Sequence, residues 1–247
     1  MSRARLVLIP GLMCDQQVWA AQCQALRDRG IEFTVADHGL ADSLADMARA
    51  VLAANPGPLA VVGHSMGGRV ALEIARLDAA RLRGAVLLDT GFRALAPAEA
   101  GARETAGRLR LLEQARLEGL RAMAASWVQG MVHPERLQDE ALIDAILDMF
   151  ERRTVAEFAA QIRALLQRPD AGNVLPQIDC PTLLLCGEQD QWAPPAQHSE
   201  MAQLIPGSRY SGVPHCGHMA PMEQPAAVNA ALFSWLESVE GFRPSAR

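Results

Sequence analysis

Two hydrophobic rhythms alternate along the chain. Short runs dominated by apolar residues occur at Leu6–Ile9, Ile31–Val35, Leu59–Val62, Ala85–Leu88 and Thr182–Leu185, with a more mixed run at Arg209–Val213. Their length and continuity read as strands, the apolar ones as strands covered on both faces. Between and after them, apolar residues recur at helical spacing over 17–29, 42–54, about 66–77, near 195–205 and over 225–238. Gly30 ends the first of these helices, Asp42 or Ser43 stands at the N-cap of the second, and Asn55-Pro56-Gly57-Pro58 stops it. Strands that alternate with helices in this way predict a mostly parallel, doubly wound α/β sheet of about six strands.

One stretch breaks the alternation. Residues 93–175 carry no strand signal, but helical spacing recurs at Leu109, Leu112, Leu117 and Leu120, at Leu142, Ile146, Met149 and Phe150, and at Phe158, Ile162, Leu165 and Leu166. We read 1–92 and 176–247 as one α/β core and 93–175 as a helical cap inserted into it. No internal repeat or low-complexity stretch is visible, and the final GFRPSAR reads as a frayed tail.

Composition narrows the chemistry. Half of the 247 residues are apolar and 21% are charged, which suits a single domain with a sizeable core. The net charge of −5 gives no basic excess for a nucleic-acid partner. All 23 basic residues are arginine, so lysine Schiff-base chemistry and a P-loop lysine are excluded. Five cysteines, at 14, 23, 180, 186 and 216, form no CxxC pair; they read as small buried hydrophobes in a reducing, cytoplasmic setting, with Cys14 and Cys216 near the pocket. The start, MSRARLVLIPGLMCD, has the basic and apolar order of a leader, but Pro10-Gly11 interrupts the apolar run too early. No apolar run is long enough for a membrane span. No set of residues has metal-ligand spacing and no dinucleotide fingerprint occurs, so neither metal nor cofactor is expected, and the expected partner is a small-molecule substrate.

The sharpest motif is Gly63-His64-Ser65-Met66-Gly67-Gly68, between the third strand and the following helix. Side chains in place of Gly63 and Gly67 would collide with the neighbouring strand and helix, so the turn pushes Ser65 out above the sheet. A serine hydroxyl needs a base, and the base needs an orienting acid, in the chain order Ser, acid, His. Asp190 follows the fifth strand, in Cys186-Gly187-Glu188-Gln189-Asp190, and His218 follows the sixth, in Pro214-His215-Cys216-Gly217-His218. Asp89, after the fourth strand, is the rival acid, and its plainer reading is a loop carboxylate accepting backbone N–H groups. His215 is the rival base, read as a loop residue. His64 packs beside the elbow, and His38, His133 and His198 read as surface or capping residues.

These motifs resemble the α/β-hydrolase superfamily, in its lid-bearing esterase and lactonase-like branch. GHSMGG at 63–68, LLLCGEQDQWAPP at 183–195 and GHMAPMEQP at 217–225 occur in the family's order, and LVLIPGLMCDQQVW at 6–19 is similar to its oxyanion turn. With the cap, the resemblance covers nearly the whole chain. It implies Ser65 as nucleophile, His218 as general base and acid, Asp190 as its orienter, and the backbone N–H groups of Leu12 and Met66 as oxyanion hole. Relatives often carry His-Gly where this chain has Pro10-Gly11, and often have two further strands before the oxyanion strand. The implied activity is a cofactor-free serine esterase; lactonase, thioesterase or C–C bond hydrolase activity, or a ligand-binding receptor or non-catalytic scaffold on the same fold, is the alternative. Met123, Trp127 and Met131 of the cap and Trp192 are the expected pocket wall. The cap holds 11 Arg against 12 Asp and Glu, an even count that predicts neutral, medium-sized substrates.

Overall fold

The computed structural model describes residues 4–240 and 242. Six parallel strands form one sheet: β1 (Arg5–Ile9), β2 (Phe33–Val35), β3 (Leu59–His64), β4 (Leu82–Leu88), β5 (Thr182–Gly187) and β6 (Arg209–Val213), in the order β2-β1-β3-β4-β5-β6. The central strands β3 and β5 are buried at every position, in keeping with their largely apolar sequences. β3 lies between β1 and β4, so Ser65, the residue after it, emerges at the middle of the sheet's carboxyl edge.

Helices cover the sheet: α1 (Ala20–Asp28), α2 (Leu44–Ala54), α3 (Met66–Asp78), α8 (Pro195–Leu204), the single turn α9 (Ala220–Glu223) and α10 (Pro225–Leu236). Between β4 and β5 the chain forms α4 (Ala98–Glu118), α5 (Leu120–Trp127), α6 (Glu140–Glu151) and α7 (Val155–Leu166). Their ends follow local chemistry. Ser43 caps α2 by accepting from the Asp46 N–H, and Thr154 and Glu157 form a reciprocal capping box on α7. Asp139 caps α6 through the Leu142 N–H.

The differences from the sequence reading have local causes. The second strand begins at Phe33 rather than Ile31, because the Ile31 N–H is taken by the Leu26 carbonyl at the end of α1. The fourth begins at Leu82, through Gly84, where a Cβ would meet Trp235 and Val239 at 2.8 and 2.7 Å. The expected helix over 17–29 starts as a 3₁₀ turn, Gln16–Trp19, capped by Asp15. Apart from Phe242, the segment read as a frayed tail lies outside the described residues. Among the described residues, no helix is long and apolar enough to cross a membrane.

Candidate active site

The elbow is built by backbone collisions that only glycine avoids. A Cβ on Gly63 would lie 2.4 Å from the Gly67 carbonyl oxygen, and one on Gly67 would lie 2.0 Å from the Ile9 carbonyl oxygen. Ser65 therefore adopts φ 54° and ψ −117°, a conformation costing on the order of 1–3 kcal/mol for a non-glycine residue. Its peptide groups are anchored on both sides. The Ser65 N–H donates to Leu88 O at 2.9 Å, and Thr90 Oγ1 donates to Ser65 O at 2.6 Å.

The loops after β5 and β6 bring two further side chains to this serine. His218 Nε2 lies 2.8 Å from Ser65 Oγ, and His218 Nδ1 lies 2.8 Å from Asp190 Oδ2. Asp190 is buried, and its Oδ1 accepts from the Trp192 and Ala193 N–H groups at 2.8 and 3.0 Å. Burial alone would push its carboxyl up, but the charge and hydrogen bond of His218, with the two peptide donors, bring it down to about 2. Glu223, also buried, pins the histidine loop: it accepts from the N–H groups of Gly217, Met219 and His133 at 2.7–3.1 Å.

Asp89 does not reach His218. Its two oxygens accept from the Gly187 and Ala220 N–H groups at 2.9 and 3.2 Å. Complete burial, and then the charge of Asp190, raise its pKa well above the ordinary aspartate value, the opposite direction from its neighbour Asp190. His64 packs sideways, donating from Nε2 to His218 O at 2.8 Å; burial brings it down to about 3, so its ring is neutral. His198 accepts from the Thr90 N–H at 3.0 Å behind the elbow, buried rather than at the surface. His38 is likewise buried, 3.1 Å from Pro10 O. His215 lies beside His133, away from Ser65.

Gly11 closes against the elbow, where a Cβ would be 3.1 Å from Ser65 Cβ, and this sets Leu12 beside the serine. The following Met13 has φ 62°, and its N–H donates to Gln161 of α7 at 2.8 Å. Met66, as the first residue of α3, has no intrahelical acceptor for its N–H. Leu12, Ser65, Met66 and His218 line a cavity of about 380 Å³. Trp127, Met131 and Trp192 line it as well, with Trp192 stacked on Trp127 at 5.4 Å and 4.9 Å from the His218 ring. Met123 does not line it: one turn before Trp127, it is fully buried in the core, and the larger indole of Trp127 takes the wall at that level. Cys14 reaches the cavity, but burial, with the charge of Asp15, pushes its thiol up to about 12, so it offers no thiolate. Cys216 is buried and does not line the cavity.

The cavity is also lined by side chains that the sequence reading did not single out: Arg69 of α3, Glu104 and Arg108 of α4, and Arg168 after α7. Two groups bring ligand-type atoms within 4.8 Å of one another among the described residues: Asp89, Cys186 and Asp190, and His133, Glu135 and His215. In the first, all four carboxylate oxygens already accept hydrogen bonds, so the group fits a hydrogen-bond hub better than a metal centre.

Residues 6–231 match the family model described as "Alpha/beta hydrolase family". The chain is 31% identical over 180 residues to the 2-succinyl-6-hydroxy-2,4-cyclohexadiene-1-carboxylate synthase of Klebsiella pneumoniae (strain 342), covering 72% of this chain and 68% of that protein. Among solved structures, a thermophilic esterase from Thermogutta terrifontis superposes with a TM-score of 0.80 at 29% identity, over 95% of this chain and 89% of the other. The enol-lactonase from Burkholderia xenovorans LB400 superposes with a TM-score of 0.78 at 23% identity, over 95% and 92%, which speaks for the fold alone.

Proposed function

The chain belongs to the alpha/beta hydrolase family, and from that premise we propose that it is a serine hydrolase cleaving a carboxylic ester or related acyl substrate through an acyl-enzyme. The observation that carries this reading is the unbroken hydrogen-bonded line from Ser65 Oγ through His218 to Asp190, with both links at 2.8 Å. His218 Nε2 takes the hydroxyl proton as Ser65 Oγ attacks the carbonyl carbon. Asp190 holds the opposite N–H and stabilises the imidazolium. The Leu12 and Met66 N–H groups receive the developing oxyanion, each worth roughly 10²–10³ in rate. His218 then returns the proton to the departing alkoxide, and water repeats the sequence to free the acid and restore Ser65. The helices over 93–175 serve in this reading as the cap that covers the acyl group, and no step calls for a metal or cofactor.

The relative named a synthase, not a hydrolase, favours one second reading, in which the same Ser65 and His218 serve a reaction other than hydrolysis. A fluorophosphonate probe and a panel of esters, lactones and thioesters test the proposal. Labelling at Ser65, an acyl adduct on quenched enzyme, and a loss of at least about 10³ in turnover in Ser65→Ala are expected. Tight binding of a substrate without labelling or turnover would overturn it.

A further inference from the structure

The even charge of the inserted helices is an average, and the fold does not distribute it evenly. Three guanidiniums, those of Arg69, Arg108 and Arg168, converge on one wall of the cavity that Ser65 opens into. The carboxylates facing them are Glu104 and, further off, Asp170. Glu104 is fully committed. Arg168 Nη1 and Nη2 each donate to one of its oxygens at 2.8 Å, and Arg108 Nε donates to it at 2.9 Å. Asp170 accepts from the peptide N–H groups of Ala94 and Gly172.

Arg69 is the guanidinium left over. Among the described residues it forms no ion pair, and its one protein acceptor is the Arg93 carbonyl, reached from Nη1 at 2.9 Å. At Gly91 a Cβ would come within 2.8 Å of its Nη2 and 2.5 Å of Gln197 Oε1, so the glycine leaves room for both side chains. Burial, and then the charges of Arg168 and Arg108, bring its pKa down to about 9, the mark of a cation short of an anion. Arg69 follows Ser65 by four residues, and its N–H donates to Ser65 O at 3.4 Å, so it stands in the first turn of the helix that Ser65 precedes. A planar fork with free donors, beside a serine and inside a cavity, matches a carboxylate.

We propose that Arg69, supported by Arg108 and Arg168, binds a free carboxylate on the substrate, so that the preferred acyl donor is the half-ester of a short dicarboxylic acid rather than a neutral ester. The inference rests on the serine-hydrolase reading for the word ester, but not for the carboxylate site. It replaces the neutral preference drawn from the charge count. With Glu104 and Asp170 counted against the three arginines, one positive charge remains, enough for one carboxylate beside the scissile carbonyl.

The test pairs monoethyl glutarate with neutral diethyl glutarate. In the wild type, kcat/KM favours the half-ester by at least about tenfold, and the preference weakens with added salt. In Arg69→Gln the ratio of half-ester to diester falls about 10- to 100-fold, the worth of a charged hydrogen-bonded pair, while Arg69→Lys keeps an intermediate ratio. A wild-type ratio near one, or an equal loss on both esters in Arg69→Gln, overturns the proposal. Binding separates it from the hydrolase reading. If neither ester is cleaved, that reading fails alone, and calorimetry of monoethyl glutarate with Ser65→Ala decides the site. Binding lost in the Ser65→Ala, Arg69→Gln double variant supports it. Absent binding, binding that survives Arg69→Gln, or inorganic phosphate bound as tightly as the half-ester overturns it. If Arg69→Gln fails to fold, the Arg69→Lys ratio carries the decision, and a wild-type ratio in that variant overturns the proposal.

Discussion

Asp190→Asn tests the hydrogen-bonded line at its buried end. The substitution keeps the side-chain shape but replaces one oxygen by an NH₂ group, and the surroundings dictate which one. Oδ1 accepts from two buried peptide N–H groups, those of Trp192 and Ala193, and Oδ2 faces His218 alone. Turning the amide to keep an oxygen toward His218 would set NH₂ against both peptide donors, at about 1–3 kcal/mol for each donor left unpaired. The oxygen therefore stays on the peptide side, and NH₂ points at His218 Nδ1. The ring must then accept at Nδ1 and carry its proton on Nε2, 2.8 Å from Ser65 Oγ, where it cannot take the serine's proton. A wrong-tautomer imidazole costs about 10⁴ in kcat, or roughly 5 kcal/mol of transition-state stabilisation. Asp89→Asn is the comparison: Asp89 holds no nitrogen of His218, so no tautomer is at stake, although its amide must set NH₂ against the Gly187 or the Ala220 N–H at about 1–3 kcal/mol of stability, and kcat of the folded variant is expected to stay within about tenfold of wild type. Steady-state kcat on a chromogenic ester, measured well below each variant's own unfolding midpoint, checks the ranking. A loss under about tenfold in Asp190→Asn, or a larger loss in Asp89→Asn, would refute the tautomer argument.

Two further expectations concern stability. Burial depresses His198 to about 4, so between its unfolded value near 6.5 and pH 4 the unfolded chain binds a proton that the folded one does not. Its contribution to stability therefore falls on acidification, and the gap between wild type and His198→Gln narrows by up to about 1.4 kcal/mol per pH unit from pH 6.5 to 4, read by urea unfolding at each pH; a constant gap would show that His198 titrates alike in both states. Glu223→Gln turns an NH₂ group against at least one of the three peptide donors that Glu223 now satisfies, so it is expected to lower stability by about 1–3 kcal/mol and kcat with it, and a change below about 0.5 kcal/mol would show that the loop finds other acceptors.

The middle of the sheet was legible because its strands are buried on both faces, which leaves Leu59–Val62 and Leu183–Leu185 as unbroken apolar runs with few alternatives. The positions of Ser65, Asp190 and His218 were legible because each follows a strand that ends at the same edge of the sheet, so an order along the chain became proximity in space. Edge pairing was less so: whether Ile31 joins a ladder or a helix end depends on one carbonyl of α1, which no periodicity encodes. The arginine wall was hidden for a similar reason. Arg69, Arg108 and Arg168 lie on three different elements, and only the packing of α4 and α7 above α3 gathers them. Glu104 carries no local signal beyond its helical spacing to Arg108, and its bidentate partner is 64 residues away. Gln161 looked like any polar residue on α7, yet it is buried and holds the Met13 N–H.

That last contact bears on how freely the chain can diversify. Insertions on a conserved scaffold are often regarded as interchangeable modules, with a new lid bringing a new specificity. Here the exchange has a condition attached. The left-handed Met13 in the turn after β1 hands its peptide proton to Gln161, 148 residues later, and Arg153, just before α7, donates to the Cys14 carbonyl of the same turn at 2.8 Å. A replacement of 93–175 without an acceptor in the place of Gln161 would leave a buried donor stranded, at a cost of about 1–3 kcal/mol, in the turn that holds Leu12 beside Ser65. A change in either segment therefore constrains the other. A library that randomises 93–175 would recover far more active members if Gln161 and Arg153 were held constant than if only the residues lining the cavity were kept.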